Sequence, residues 1–131
     1  MYLLDTDTII YNLKGNASVR SNLEKHVNDP IRITSITLME LYYGAYKSKK
    51  VAANLAKIRT IEKALGIVTL GPESTEIFGL LKADLEKQGE TLADLDLIIA
   101  ACALANNLIL VTNNTKHFSR IPGLKLENWV K

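Results

Sequence analysis

Tyr2-Leu3-Leu4-Asp5-Thr6-Asp7-Thr8 places three apolar residues ahead of four that carry side-chain oxygens, and the rest of the chain repeats this change of character. An apolar run cut short by an aspartate suits a strand buried on both faces, while Asp and Thr are residue types that begin helices. Similar runs at Ile31–Thr34, Ile67–Leu70, Leu108–Thr112 and Leu124–Leu126 bring the expected strands to five. Between them, helical periodicity runs through Thr8–Leu13, Ser18–Val27, Thr37–Lys47, Ala52–Leu65, Glu73–Gln88 and Asp94–Asn106. Strands alternating with helices require crossover connections. The expected fold is therefore α/β, with a mainly parallel central sheet between two helical layers. No repeat, linker or low-complexity tract interrupts residues 1–131, which read as one continuous domain.

With 131 residues, 47% of them hydrophobic and 23% charged, the composition is that of an ordinary globular protein. One cysteine, Cys102, excludes an internal disulfide framework. Its apolar neighbours, from Ile98 to Ala105, mark it as a packing residue rather than a nucleophile. No apolar run approaches the roughly 18 residues of a membrane span. Asp5 interrupts any signal-peptide apolar region, so a cytoplasmic location is expected. The net charge is only +2, but Lys47, Lys49, Lys50, Lys57, Arg59 and Lys63 face a single acid, Glu62, within one stretch. If Asp5, Asp7, Glu40, Asp94 and Asp96 gather at a cation, the other nine acids face sixteen bases, leaving +7. An acidic pocket on a basic body suits a metal-using enzyme with a phosphate substrate.

In parallel sheets the working residues collect beyond the carboxyl ends of the strands. Those junctions are Asp5-Thr6-Asp7, Ser35-Ile36-Thr37 and Thr112-Asn113-Asn114 here, all rich in hydrogen-bonding groups. One residue suffices to cap a helix, so Thr6 or Asp7 is assigned to capping and Asp5 to a site. Glu40 follows Thr37 at capping-box spacing, which accounts for it as well as ligation of a hard cation does. Thr91 and Asp94 share that spacing and leave Asp96 without a capping role. Leu92, Leu95, Leu97, Ile98 and Ile99 surround Asp96 with a helix apolar nearly all round, where an unpaired charge is costly unless a cation meets it. Asn113 and Asn114 either form a turn or orient water or phosphate. His26 reads as a solvent-facing helix residue, and it lies too far from His117 for a zinc motif. Met39, Tyr42, Tyr43 and Tyr46 form a stripe at helical spacing, read first as core and otherwise as a stacking platform or subunit interface.

Taken together, these segments resemble PIN-domain ribonuclease toxins of the VapC type. Leu3–Asp7, Ser35–Ala45, Asp96–Ala100, Leu110–Phe118 and Arg120–Trp129 carry the resemblance in the right order, whereas Val51–Glu90 carries no motif. It implies a three-layer α/β/α PIN fold and a toxin that cleaves RNA with Mg²⁺ or Mn²⁺. It also implies silencing by a cognate antitoxin encoded beside the toxin, and a homodimer. The family acids fall on Asp5, Glu40 and Asp96, which makes Glu40 a site residue. Thr6, Asp7, Asp94, Thr112, Asn114 and His117 are expected in supporting or substrate-contacting positions. His117 stands where the family commonly has a fourth acid, which leaves one or two metal ions open. The expected chemistry is an ion that activates water and neutralises charge on the scissile phosphate, held by Asp5 and Asp96 with help from Glu40. Two other readings fit part of the pattern: a degenerate PIN module that only binds RNA or a protein, and a phosphatase of the haloacid-dehalogenase kind with Asp5 as nucleophile. Asn113-Asn114 and the helical position of Asp96 disfavour the phosphatase.

Overall fold

The computed structural model describes residues 1–131, and its chain alternates strand and helix almost throughout. Strands β1 (Tyr2–Leu4), β2 (Ile31–Thr34), β3 (Gly66–Val68), β4 (Ile109–Val111) and β5 (Leu126–Glu127) form one sheet in the order β3-β2-β1-β4-β5. Every pairing is parallel. The crossovers hold α1 (Thr6–Leu13), α2 (Ala17–Lys25), α3 (Ser35–Lys47), α4 (Val51–Ala64), α5 (Pro72–Lys87), α6 (Asp94–Ala105) and the short α7 (Thr115–Phe118). Four residues of α7 are too few to show a period, and the sequence pattern missed it.

Side-chain alternation along the strands divides the core in two. Tyr2, Leu4, Ile33 and Val111 point to the layer of α1 to α4, packing with Ile9, Leu41, Leu55 and Ile58. Leu3, Leu110 and Val68 point to the layer of α5 and α6, packing with Leu81, Leu85, Ala100, Ala101 and Ala103. The alanines of α6 let that helix lie close to the sheet. Cys102 is buried among them, its thiol pushed above the usual value by burial, so the packing assignment holds.

Two surface assignments change. Along α3, Met39, Tyr43 and Tyr46 are exposed rather than core, and Tyr42 donates its hydroxyl hydrogen to Glu62 on α4. Helical spacing identifies a common face but not what covers it. His26 is not solvent-facing: its ring stacks on Trp129 with centroids 5.1 Å apart, and its Nδ1 lies 2.8 Å from Asp29 Oδ2. Trp129 also packs on Tyr2, which fastens the C-terminal segment to the start of β1. No helix is long and apolar enough to cross a membrane.

Leu110→Ala removes a fully buried side chain from the central region of the sheet. It should cost about 2–5 kcal/mol, read as a lower urea midpoint at unchanged slope. A loss below about 1 kcal/mol would mean that this layer is not tightly packed.

Candidate active site

From β1 the sheet order runs one way through β2 to β3, and from β4 it runs the other way to β5. The reversal opens a crevice at the carboxyl ends of β1 and β4. Asp5 stands there, 5% exposed, its backbone N–H bonded to Val111 O at 3.0 Å. Its Oδ1 accepts the Thr8 N–H at 2.8 Å, so Asp5 itself caps α1. The sequence alone assigns that cap to Thr6 or Asp7. Asp5 instead does this while facing the crevice, and a carboxylate's four lone-pair positions leave room for both. Burial raises its carboxyl above the ordinary aspartate value, opposed by hydrogen bonds from Thr112 and Thr8. The Thr112 hydroxyl oxygen accepts the Asn114 N–H at 3.0 Å, which leaves its own hydrogen for Asp5.

Glu40 arrives on α3. That helix is capped by Thr34, whose hydroxyl accepts the Thr37 N–H at 3.0 Å. The helix therefore starts before Thr37, and the capping-box explanation of Glu40 fails. In its second turn, Glu40 is half-buried and its Oε1 accepts the Thr6 hydroxyl at 2.7 Å.

Asp96 lies in the first turn of α6, whose start has no side-chain cap. The Thr91–Asp94 box is absent. Asp94 instead reaches across to Lys82 on α5 at 3.0 Å. A helix N-terminus favours negative charge, yet the Asp96 carboxyl is held above its usual value. Burial contributes most, followed by the charges of Asp5, Glu40 and Asp7, while His117 pulls the other way. These four side chains are thus within electrostatic reach of Asp96.

Of the nine residues singled out from sequence, Asp5, Thr6, Asp7, Glu40, Asp96, Thr112 and His117 converge on this mouth. Asn114 is exposed beside it, bonded through its backbone to Thr112, and Asp94 is turned away. Thr34 has no assigned role in the sequence reading and Thr37 only that of a cap for Glu40, although their own spacing of three after a strand is an N-terminal signal. Asn128 was also missed; its Nδ2 donates to Asn113 Oδ1 at 3.2 Å and braces the β4–α7 loop.

The donors on Asp5, Glu40 and Asp96 are oxygens, and no lysine or arginine pairs with these three acids. No three acidic, histidine or cysteine side chains close into a ready-made metal cage. Mg²⁺ is usually held by one or two carboxylates and several waters, so this donor set fits a hydrated hard cation.

The raised Asp96 value has a measurable consequence for stability. Below the unfolded value of 3.8 both states are protonated. As pH rises from there through the higher native value, the native state loses stability, because its carboxyl is the harder to ionise. Metal-free Asp96→Asn protein should therefore melt a few degrees above wild type at pH 7, and the gap should close towards pH 4. A melting temperature equal to or below wild type at pH 7 would refute carboxylate repulsion at this residue.

The chain matches the family model for the PIN domain over residues 2–124. It is 43% identical to ribonuclease VapC2 of Rickettsia felis, covering 100% of this chain and 99% of that protein. It is 36% identical to the tRNA(fMet)-specific endonuclease VapC of Shigella flexneri, covering 98% and 97%. The crystal structure of VapBC2 from Rickettsia felis, bound to a DNA fragment from their promoter, superposes with a TM-score of 0.92 at 42% identity over 98% of each chain.

Proposed function

This chain belongs to the PIN-domain family of VapC ribonucleases, and from that premise we propose that Asp5, Glu40 and Asp96 form the catalytic centre with which it cleaves RNA as a toxin. The observation that carries the assignment is the concentration of acidic charge on Asp96, with no lysine or arginine paired to the three acids.

Nucleases of this family are metal-dependent. Asp5 and Asp96 would hold Mg²⁺ or Mn²⁺ with Glu40 in support, and the ion would supply an activated water and neutralise charge on the phosphate. The protein supplies the rest. Thr8 and Thr112 orient Asp5, and the start of α6 presents Asp96 to the crevice. Exposed Lys57, Arg59 and Lys63 on α4 give the RNA backbone a cationic surface. The Shigella relative's name makes an initiator tRNA the first substrate to try. That substrate would be met in the cytoplasm, where we expect the protein to act.

The purified protein should cleave RNA, stop in EDTA, and recover with Mg²⁺ or Mn²⁺. Asp96→Asn should lose at least about a hundredfold in rate, as expected for removing a group that acts on the transition state. Imidazole is an acceptable ligand for Mn²⁺ and a poor one for Mg²⁺, so His117→Asp should shift activity towards Mg²⁺. Cleavage that survives EDTA would remove the metal reading. An unchanged preference in His117→Asp would place this histidine outside the metal shell.

The fold offers the antitoxin partner a seat. A groove of about 340 Å³ between α1, α3 and α4 is lined by Ile10, Leu13, Leu41 and Ile58, together with Glu40. We assign it to an amphipathic antitoxin segment whose basic side chain reaches the acids. The exposed Met39, Tyr43 and Tyr46 of α3 we assign to a homodimer interface. Expression of the chain alone should halt growth, and a co-expressed antitoxin should relieve it. Light scattering should give a dimer that Tyr43→Glu converts to monomer. A monomeric wild type at micromolar concentration would overturn the interface.

A further inference from the structure

Three threonine hydroxyls lead from the end of β2 to Glu40. Thr34 and Thr37 are fully buried, and Thr6 is half-buried. The Thr34 and Thr37 Oγ1 atoms are 3.3 Å apart, Thr37 and Thr6 Oγ1 are 3.1 Å apart, and Thr6 Oγ1 lies 2.7 Å from Glu40 Oε1. Each hydroxyl has one hydrogen to give. A carboxylate can only accept, so Thr6 spends its hydrogen on Glu40. Thr37 must then donate to Thr6, and Thr34 to Thr37. The far end is closed by the Thr37 N–H, which donates to Thr34 Oγ1 at 3.0 Å. The chain runs one way, and no buried side-chain polar atom is left without a partner.

Helix capping explains only part of this. It requires the Thr34 hydroxyl and the Thr37 N–H, and neither the Thr37 nor the Thr6 hydroxyl is needed for it. Those two connect the start of α3 to the start of α1 and end on a single carboxylate oxygen. We propose that Thr6 is a positioning residue for Glu40, supplied through Thr34 and Thr37 by this one-way hydroxyl chain. It pins Oε1 and leaves Oε2 as the oxygen that faces the reaction. Donation along such a chain polarises each successive bond, and bonds to a charged acceptor are the strong ones. Thr6 is therefore worth more to the orientation of Glu40 than an isolated threonine would be. The inference rests on the reading of Glu40 as an active-site residue.

The test is a double-mutant cycle with controls. Thr6→Val keeps the shape and removes the donor. Its kcat should fall about tenfold or more, the range implied by losing one hydrogen bond to a charged group, with KM little changed. Thr6→Ser should restore kcat to within about twofold. Thr37→Val should lower kcat less, and the Thr6→Val/Thr37→Val double variant should be no slower than Thr6→Val alone. Independently of activity, the Glu40 side-chain carboxyl carbon in metal-free protein should give one NMR resonance in wild type and Thr6→Ser. In Thr6→Val it should be shifted or broadened by rotamer averaging. Additive losses in the cycle would overturn the chain, and failure of Thr6→Ser to restore activity would overturn the hydroxyl's role. Glu40→Gln separates the two levels. If it is inactive while Thr6→Val is fully active, the positioning idea falls and the site reading stands. If Glu40→Gln is fully active, both fall.

Discussion

Asp5, Glu40 and Asp7 all make the ionised form of Asp96 harder to reach, and neither lysine nor arginine is bonded to any of the three acids at the centre. The fold maintains this repulsion instead of relieving it. Asp5 is tied by its backbone to β4 and by its side chain to α1, Glu40 is held by Thr6, and Asp96 is carried at the head of a helix buried under the sheet. The resulting excess of negative charge weakens the fold, and on the reading proposed above a divalent cation at these acids would offset it.

The sheet order is what permits the arrangement. Five short parallel strands present all their carboxyl ends to one side, and the reversal between β1 and β4 opens the crevice there. The residues at that edge are not interchangeable. Leu3 and Leu110 serve the α5–α6 core while Leu4 and Val111 serve the opposite one, and Asp5 and Thr112 are the first residues past both. The motif-free stretch from Val51 to Glu90 contributes α4, β3 and α5, which build the covering layers and the far edge of the sheet.

Much of this was legible in the residues themselves. Apolar runs that stop at an aspartate or threonine located the strand ends to within a few positions, and Asp5 and Asp96 stood out because local helix-start chemistry did not seem to use them up. That reasoning placed them at the mouth, although its details were wrong. Asp5 does cap its helix, and Asp94 is occupied by Lys82 rather than by Thr91. The capping errors at α1 and α3 share a cause. A cap depends on which residue leaves the strand first, as Thr34 does before Thr37, and periodicity cannot resolve one residue. Partners distant in the chain left no local trace: Lys82 with Asp94, Trp129 with His26 and Thr6 with Glu40. The aromatic stripe on α3 shows the same limit, since a regular spacing describes a face and says nothing about whether the chain covers it.

Asp5 closes the first turn of α1 with one side-chain oxygen and faces the crevice with the same carboxyl group. Natural selection therefore acts on this position through two filters of different strictness. Asparagine caps a helix as well as aspartate does, so the fold would admit it, and the acidic mouth would not. Alanine fails both demands. A lineage that gave up catalysis would be free to drift from aspartate to asparagine here while keeping the helix start intact, and the first sign of a retired site would be the loss of one charge without any change of shape.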